Sequence, residues 1–220
     1  MPVNFEQIRA DEKIKTYIRQ ADASMRAMGY TEHSFAHVTR CADRASRLLE
    51  QLGHPAREVE LAHIAAYLHD IGNVINRNDH AHSGAVMAFR LLDELGMEAE
   101  EVATVITAIG NHDEKTAHPV NAVAAALILA DKSDVRRSRV RNRDTIKFDI
   151  HDRVNYAVDR SELELDRERG TLTLLIRIDT EICAVMDYFE IFTSRMLLCR
   201  KAAEFFGLRF HLKINDAVLM

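Results

Sequence analysis

His69 and Asp70 stand side by side at the end of the apolar run LAHIAAYLHDIGN, an imidazole and a carboxylate just ahead of Gly72. Such a pair suits a divalent cation. Adjacent residues diverge by about 100° around a helix, so one ion reaches both only from beside the helix end, with other segments completing its shell. Two segments offer ligands. TEHSFAHVTRCADRA carries His33 and His37 one helical turn apart and facing the same way. ALILADKSDV carries Asp131 behind Ala124, Leu127 and Ile128, at spacings of seven, four and three, so its carboxylate falls on an apolar face and needs a partner there.

Imidazoles and carboxylates with few thiolates suit Fe, Mn, Co, Ni or Zn, and Mg more weakly, with one or two ions per chain. An ion so held lowers the pKa of water from about 15.7 toward about 7 and polarises a phosphoryl oxygen. The chemistry expected is attack of an activated water on an electrophilic centre, with His69 and Asp70 at the reacting centre.

A second feature follows directly. KSDVRRSRVRNRD places Lys132, Arg136, Arg137, Arg139, Arg141 and Arg143 within twelve residues. Arginine forks bind phosphate bidentately. If the helix carrying Asp131 ran on to Arg137, then Lys132 and Arg136 would point toward the metal end, which makes Lys132, Arg136 and Arg137 candidate substrate ligands. The competing reading is a solvated run paired with Asp144, Asp149 and Asp152.

Of the 11 histidines, nine lie between His33 and His118. A lone buried histidine is more often a hydrogen-bonded core residue than a ligand, and His54, His63, His151 and His211 are read that way. His82 and His118 flank stronger candidates.

The elements that must position these residues are mostly helices. The 3.6-residue period predicts helices over Glu6–Met28, from near Thr31 to Gly53, over Arg57–Ile71, His80–Leu95 and Glu98–Gly110, and over Val120–Val135 with Pro119 at the first turn. NVINRND, residues 73–79, reads as a polar connection. Beyond it SELELDRERGTLTLLIRID alternates about a Gly-containing turn, as a β-hairpin does, followed by a helix over Thr180–Phe206 and a strand, LRFHLKI. The fold class is therefore mainly α: a helical bundle over residues 1–145 with a small C-terminal α+β appendage over 146–220.

Apolar residues make up 47% and charged ones 29% of the 220, a globular balance with no run able to span a membrane. A charged N-terminus and three scattered cysteines predict a reducing, cytoplasmic setting. The net charge of −5 argues against nucleic acid as the partner. A small phosphorylated substrate is expected, and a homodimer through the appendage.

In order and spacing, the histidine, the His-Asp doublet and the distant aspartate resemble the HD superfamily over Thr31 to Asp134. HVTRCA is similar to that family's His-x-x-Arg-Val-Ala, which aligns His37 rather than His33 with the first ligand, and Asp131 matches the last. HAHSGA and NHDE resemble segments of branches that bind two or more ions. On that resemblance His80 and His112 become further ligands, Asp70 bridges two ions and His33 supplies an extra one. The Gly-Tyr-Pro signature of the cyclic-dinucleotide phosphodiesterase branch is missing, since NHDE runs into KTAHPV.

The resemblance implies an HD-type bundle that hydrolyses a phosphoester, in a nucleotide or another small phosphorylated metabolite. Two rivals share the ligand pattern: a di-iron oxygenase, and a non-catalytic module that senses a ligand.

Overall fold

The computed structural model describes residues 2–219, apart from the side chains of Arg143 and Thr145. Arg143 of the basic run thus has its side chain outside the described residues. The chain divides into two compact units, Met1–Asp131 and Lys132–Met220.

The first unit is helical. α1 (Phe5–Ala10) and α2 (Glu12–Ala27) replace the single N-terminal helix that periodicity suggests. Asp11 breaks it: its backbone is extended (φ −67°, ψ 120°) and its side chain accepts the Ile14 N–H, capping α2. Buried Ile8, Ile14, Ile18, Ala21 and Met25 continue the apolar pattern through the break, so the pattern alone does not reveal it.

α3 (Phe35–Leu52) starts at the Ser34 cap and stops at Gly53, whose φ of 84° places it in the left-handed region that closes helices. Its buried face carries His37, Val38, Cys41, Ala42, Ala45, Leu48 and Leu49, and packs against α4 (Ala56–Leu68). α4 is buried at every residue from Ile64 to Leu68, so its end lies deep inside the unit.

A short 3-10 turn, Ile71–Val74, follows α4 and packs on α2 and on α5 (His80–Glu94). Gly72 makes that approach possible. A Cβ there would stand 2.0 Å from the His80 carbonyl oxygen and 2.5 Å from the Gly84 nitrogen, closer than packed atoms tolerate. α6 (Ala99–Gly110) packs against α5 and α4.

α7 (Ala122–Lys132) is buried at every residue from Ala122 to Ala130. It is shorter at both ends than its apolar composition suggests. Pro119 lies outside it, and Asn121 accepts the Ala124 N–H at its start. At the other end Arg136 is extended, so the helix does not carry Arg136 and Arg137 onward from Asp131.

In the second unit, α8 (Ile150–Ala157) leads into β1 (Val158–Asp166), which pairs antiparallel with β2 (Thr171–Ile178). β3 (Arg209–Ile214) pairs parallel with β2, and the short β4 (Ala217–Val218) closes the order β1-β2-β3-β4. Parallel neighbours need a crossover, and α9 (Val185–Phe205) supplies it while packing on β3. The fold is thus mainly α with a C-terminal α+β portion of hairpin, helix and strand, as the sequence pattern implies. α8 and β4 are additions to it.

Candidate metal centre

Helix ends carry the site. α4 stops at Leu68, so His69 is its C-cap and Asp70 the residue after, both fully inside the unit. The last carbonyls of a helix lack intrahelical donors. His69 supplies one: its Nδ1–H donates to the Ala66 carbonyl at 2.7 Å. His112, just past the end of α6, does the same to the Ile109 carbonyl at 2.6 Å. His80, the first residue of α5, donates Nδ1–H to the Arg77 carbonyl (3.1 Å), and His33 donates to Thr31 (2.8 Å). Each bond fixes the tautomer and turns Nε2, as a lone pair, away from the backbone.

These Nε2 atoms converge with two carboxylates. His37 Nε2 lies 3.5 Å from Asp70 Oδ2 and 3.4 Å from Asp131 Oδ1. His69 Nε2 lies 3.4 and 3.8 Å from the same two oxygens. On the other side of Asp70, His80 Nε2 is 3.6 Å from Oδ1 and 3.1 Å from His112 Nε2. Ligands about 2.1 Å from a shared ion stand roughly 3.0–3.4 Å apart. The separations here, 3.1–3.8 Å, overlap that spacing and run a few tenths of an ångström beyond it.

Two buried atoms, His69 Nε2 and Asp70 Oδ2, have no hydrogen-bond partner among the described residues. Leaving such groups unsatisfied is costly, and a cation between them removes the cost. The donor set therefore fits a divalent metal. His37, Cys41, His69 and Asp131 lie close enough to share one, as do His69, Asp70 and His112.

The electrostatics are those of an anionic cradle. Burial opposes ionisation of Asp70, yet the imidazoles of His69, His33 and His37 around it hold its carboxyl well below the usual range. Burial likewise disfavours charge on His69, but Asp70 and Asp131 outweigh it and raise its pKa.

The structure thus brings together His37, His69, Asp70, Asp131, His80 and His112, with His33 beside them, its ring 5.6 Å from that of His37. Lys132 follows Asp131 as a buried residue that ends α7. Arg136 pairs with Asp134 at 3.1 Å, and Arg137 donates to the Tyr156 carbonyl at 2.6 Å and stacks on the Tyr156 ring. Arg139 donates to the Asp134 carbonyl. These are bonds within the second unit, of the kind a structural arginine run makes. His82 is exposed and lies beside Asp79; His118 and His151 are exposed as well.

Three residues near the site are not among those singled out from the sequence. Asn73 donates to Asp70 Oδ1 at 2.8 Å and to its carbonyl. Arg77 Nη1 reaches His80 Nε2 at 3.3 Å and Asp70 Oδ1 at 4.0 Å. Cys41 Sγ lies 3.6 and 3.8 Å from the two nitrogens of His37, alongside the ring rather than beyond Nε2. Only the last has a sequence marker, its position one helical turn after His37.

The chain is 23% identical over 188 residues, 75% of this chain and 72% of the other, to a protein of Methanocaldococcus jannaschii named Uncharacterized protein MJ1020. Residues 34–136 match the family model described as HD domain, a stretch from the Ser34 cap of α3 to five residues past Asp131. The doublet at 69–70, the first histidine of α3 and the last aspartate of α7 all fall inside it, and that match identifies residues 34–136 as an HD domain.

Proposed function

We propose that this chain hydrolyses a phosphoester in a nucleotide or another small phosphorylated metabolite, with a divalent metal held by His37, His69, Asp70 and Asp131. The observation that carries the reading is the pair of buried, unpartnered atoms His69 Nε2 and Asp70 Oδ2, aimed at the same space as His37 and Asp131. When bound, the ion supplies Lewis acidity to a phosphoryl oxygen and a lowered pKa to water.

The chain's own residues do the rest. Asp70 is held anionic by its imidazole neighbours, which suits it to stay a ligand to the cation and to accept a hydrogen bond that orients the attacking water. The Nδ1–carbonyl bonds of His69 and His112 hold the imidazoles rigid, so little reorganisation is needed as charge develops on phosphorus. Arg77, at the Oδ1 side of Asp70, offers guanidinium N–H groups to a phosphoryl oxygen.

No helix among the described residues is long and apolar enough to cross a membrane. None of the three cysteines forms a disulfide, which supports the cytoplasmic setting included in this proposal. A homodimer through the second unit belongs to the same proposal, and sedimentation of the purified chain tests it.

The test of the activity is a screen of phosphomonoesters and phosphodiesters with Mn, Co, Fe or Mg present. Release of phosphate or of an alcohol that disappears in Asp70→Ala is expected. Turnover surviving that substitution, or none with any of these ions, sinks the proposal. Uptake of O₂ by the iron-loaded protein would favour an oxygenase instead.

A further inference from the structure

We infer that Arg77 stands in for a second metal ion, so that the centre holds one divalent cation and a guanidinium rather than two cations. The inference rests on the metal site just proposed and concerns how many ions it takes.

Asp70 divides the site into two sides that differ in their bonding. On the side of His37, His69 and Asp131, Oδ2 and His69 Nε2 have no hydrogen-bond partner among the described residues. On the side of His80 and His112, Oδ1 accepts an N–H from Asn73 at 2.8 Å and faces Arg77 Nη1 at 4.0 Å. The first side is open to a cation. On the second, the Nε2 lone pairs of His80 and His112 stand 3.1 Å apart, and the Arg77 guanidinium is the fixed positive charge beside His80.

The decisive atom is His80 Nε2. Because Nδ1–H is donated to the Arg77 carbonyl, Nε2 carries a lone pair, and Arg77 Nη1 lies 3.3 Å from it, placed to donate. One residue thus engages both nitrogens of one imidazole. A divalent ion at this position requires the same lone pair, and a lone pair cannot hold an arginine proton and a metal at once. The guanidinium is anchored where it stands: Nη1 also donates to Asn73 Oδ1 at 3.3 Å, and its carbon lies 6.0 Å from the centre of the Tyr30 ring. With its side chain three-quarters buried, its charge is only weakly screened against an incoming cation.

Arginine cannot be deprotonated under ordinary conditions, so this cation is permanent where a metal would exchange. It leaves one exchangeable ion to set the metal dependence, and a fixed fork of donors on the other side of Asp70 for the non-reacting oxygens of a phosphoryl group.

The experiment counts ions without substrate. The full chain is stripped, dialysed against excess Mn(II) and analysed for bound metal, and its electron paramagnetic resonance spectrum is recorded. The wild type should hold one Mn per chain, with the signal of an isolated ion. Arg77→Met keeps the stem and removes the charge; it should take up a second Mn, bound about 100-fold or more tightly than in the wild type, with the signature of a coupled pair. Arg77→Lys keeps a charge and should remain near one, with a circular dichroism melt showing that it folds.

Two coupled ions in the wild type, or one ion in a folded Arg77→Met, overturns the inference. No ion in any variant removes the metal reading and this inference together. Counts of one and two in a chain that hydrolyses nothing leave the inference standing and remove only the hydrolase.

Discussion

Compare the end of α4 with the sheet of the second unit. In the sheet, what is buried is apolar apart from Thr171: Leu172, Leu174 and Ile176 of β2 and Phe210, Leu212 and Ile214 of β3 face inward, while charges stand on the other face in pairs such as Arg160 with Glu162. At the end of α4, imidazoles and carboxylates are the buried groups, spaced for an ion, and two of their atoms have no protein partner. The sheet is what folding alone would select. The helix end carries a cost that folding alone would remove, and a bound cation explains why it is retained.

That contrast can be broken by exchanging the consequences of substitution. Asp70→Asn, nearly isosteric, should lower turnover by about 10³-fold or more. A steady-state assay on the metal-loaded chain checks it, and residual activity near wild type would put Asp70 with the structural residues.

Leu174→Ala should do the reverse. Its side chain is fully buried, so the cavity should cost about 2–5 kcal/mol in urea unfolding while metal content stays unchanged. Loss of metal in this variant would show that the sheet is not merely structural.

Gly72→Ala should affect both properties, because the added methyl meets the backbone of His80, which also carries a site histidine. Overpacking of this kind costs about 1–3 kcal/mol. Weaker metal binding should accompany it, and both are read from one thermal melt with and without Mn(II).

The smallest effect belongs to His63, whose ring stacks on Phe5 at 3.5 Å. Burial lowers its pKa, and Asp43 only partly offsets this. The folded state then binds fewer protons than the unfolded one below about pH 6.5, so stability should fall as pH drops through that value. Denaturation midpoints at about pH 8 and about pH 5, compared between wild type and His63→Gln, should show a smaller acid loss in the variant.

Much of this was legible in the sequence, for reasons specific to each element. Glycines at 53 and 96 end helices by their left-handed backbone, and the alternation in β1 and β2 leaves one face of each strand polar. The histidine and aspartate positions were visible because few other pressures place acids on the apolar faces of α4 and α7. The break at Asp11 was not visible, since a cap within an unbroken apolar stripe changes no periodicity. The end of α7 was hidden for a similar reason: Val135 continues the apolar spacing after the helix has stopped. Arg77 could not be singled out, because it lies in a polar connection and its reach to His80 depends on how Gly72 lets that connection pack.

X-ray absorption at the metal edge of the Co(II)-loaded chain, paired with the same spectrum of His37→Ala, bears most directly on the claim that distant side chains share a cation. A shell of nitrogen and oxygen at about 2.0–2.2 Å with imidazole scattering, weakened by one imidazole in the variant, is the predicted result. A fully hydrated ion, or a spectrum unchanged by removing His37, would contradict it.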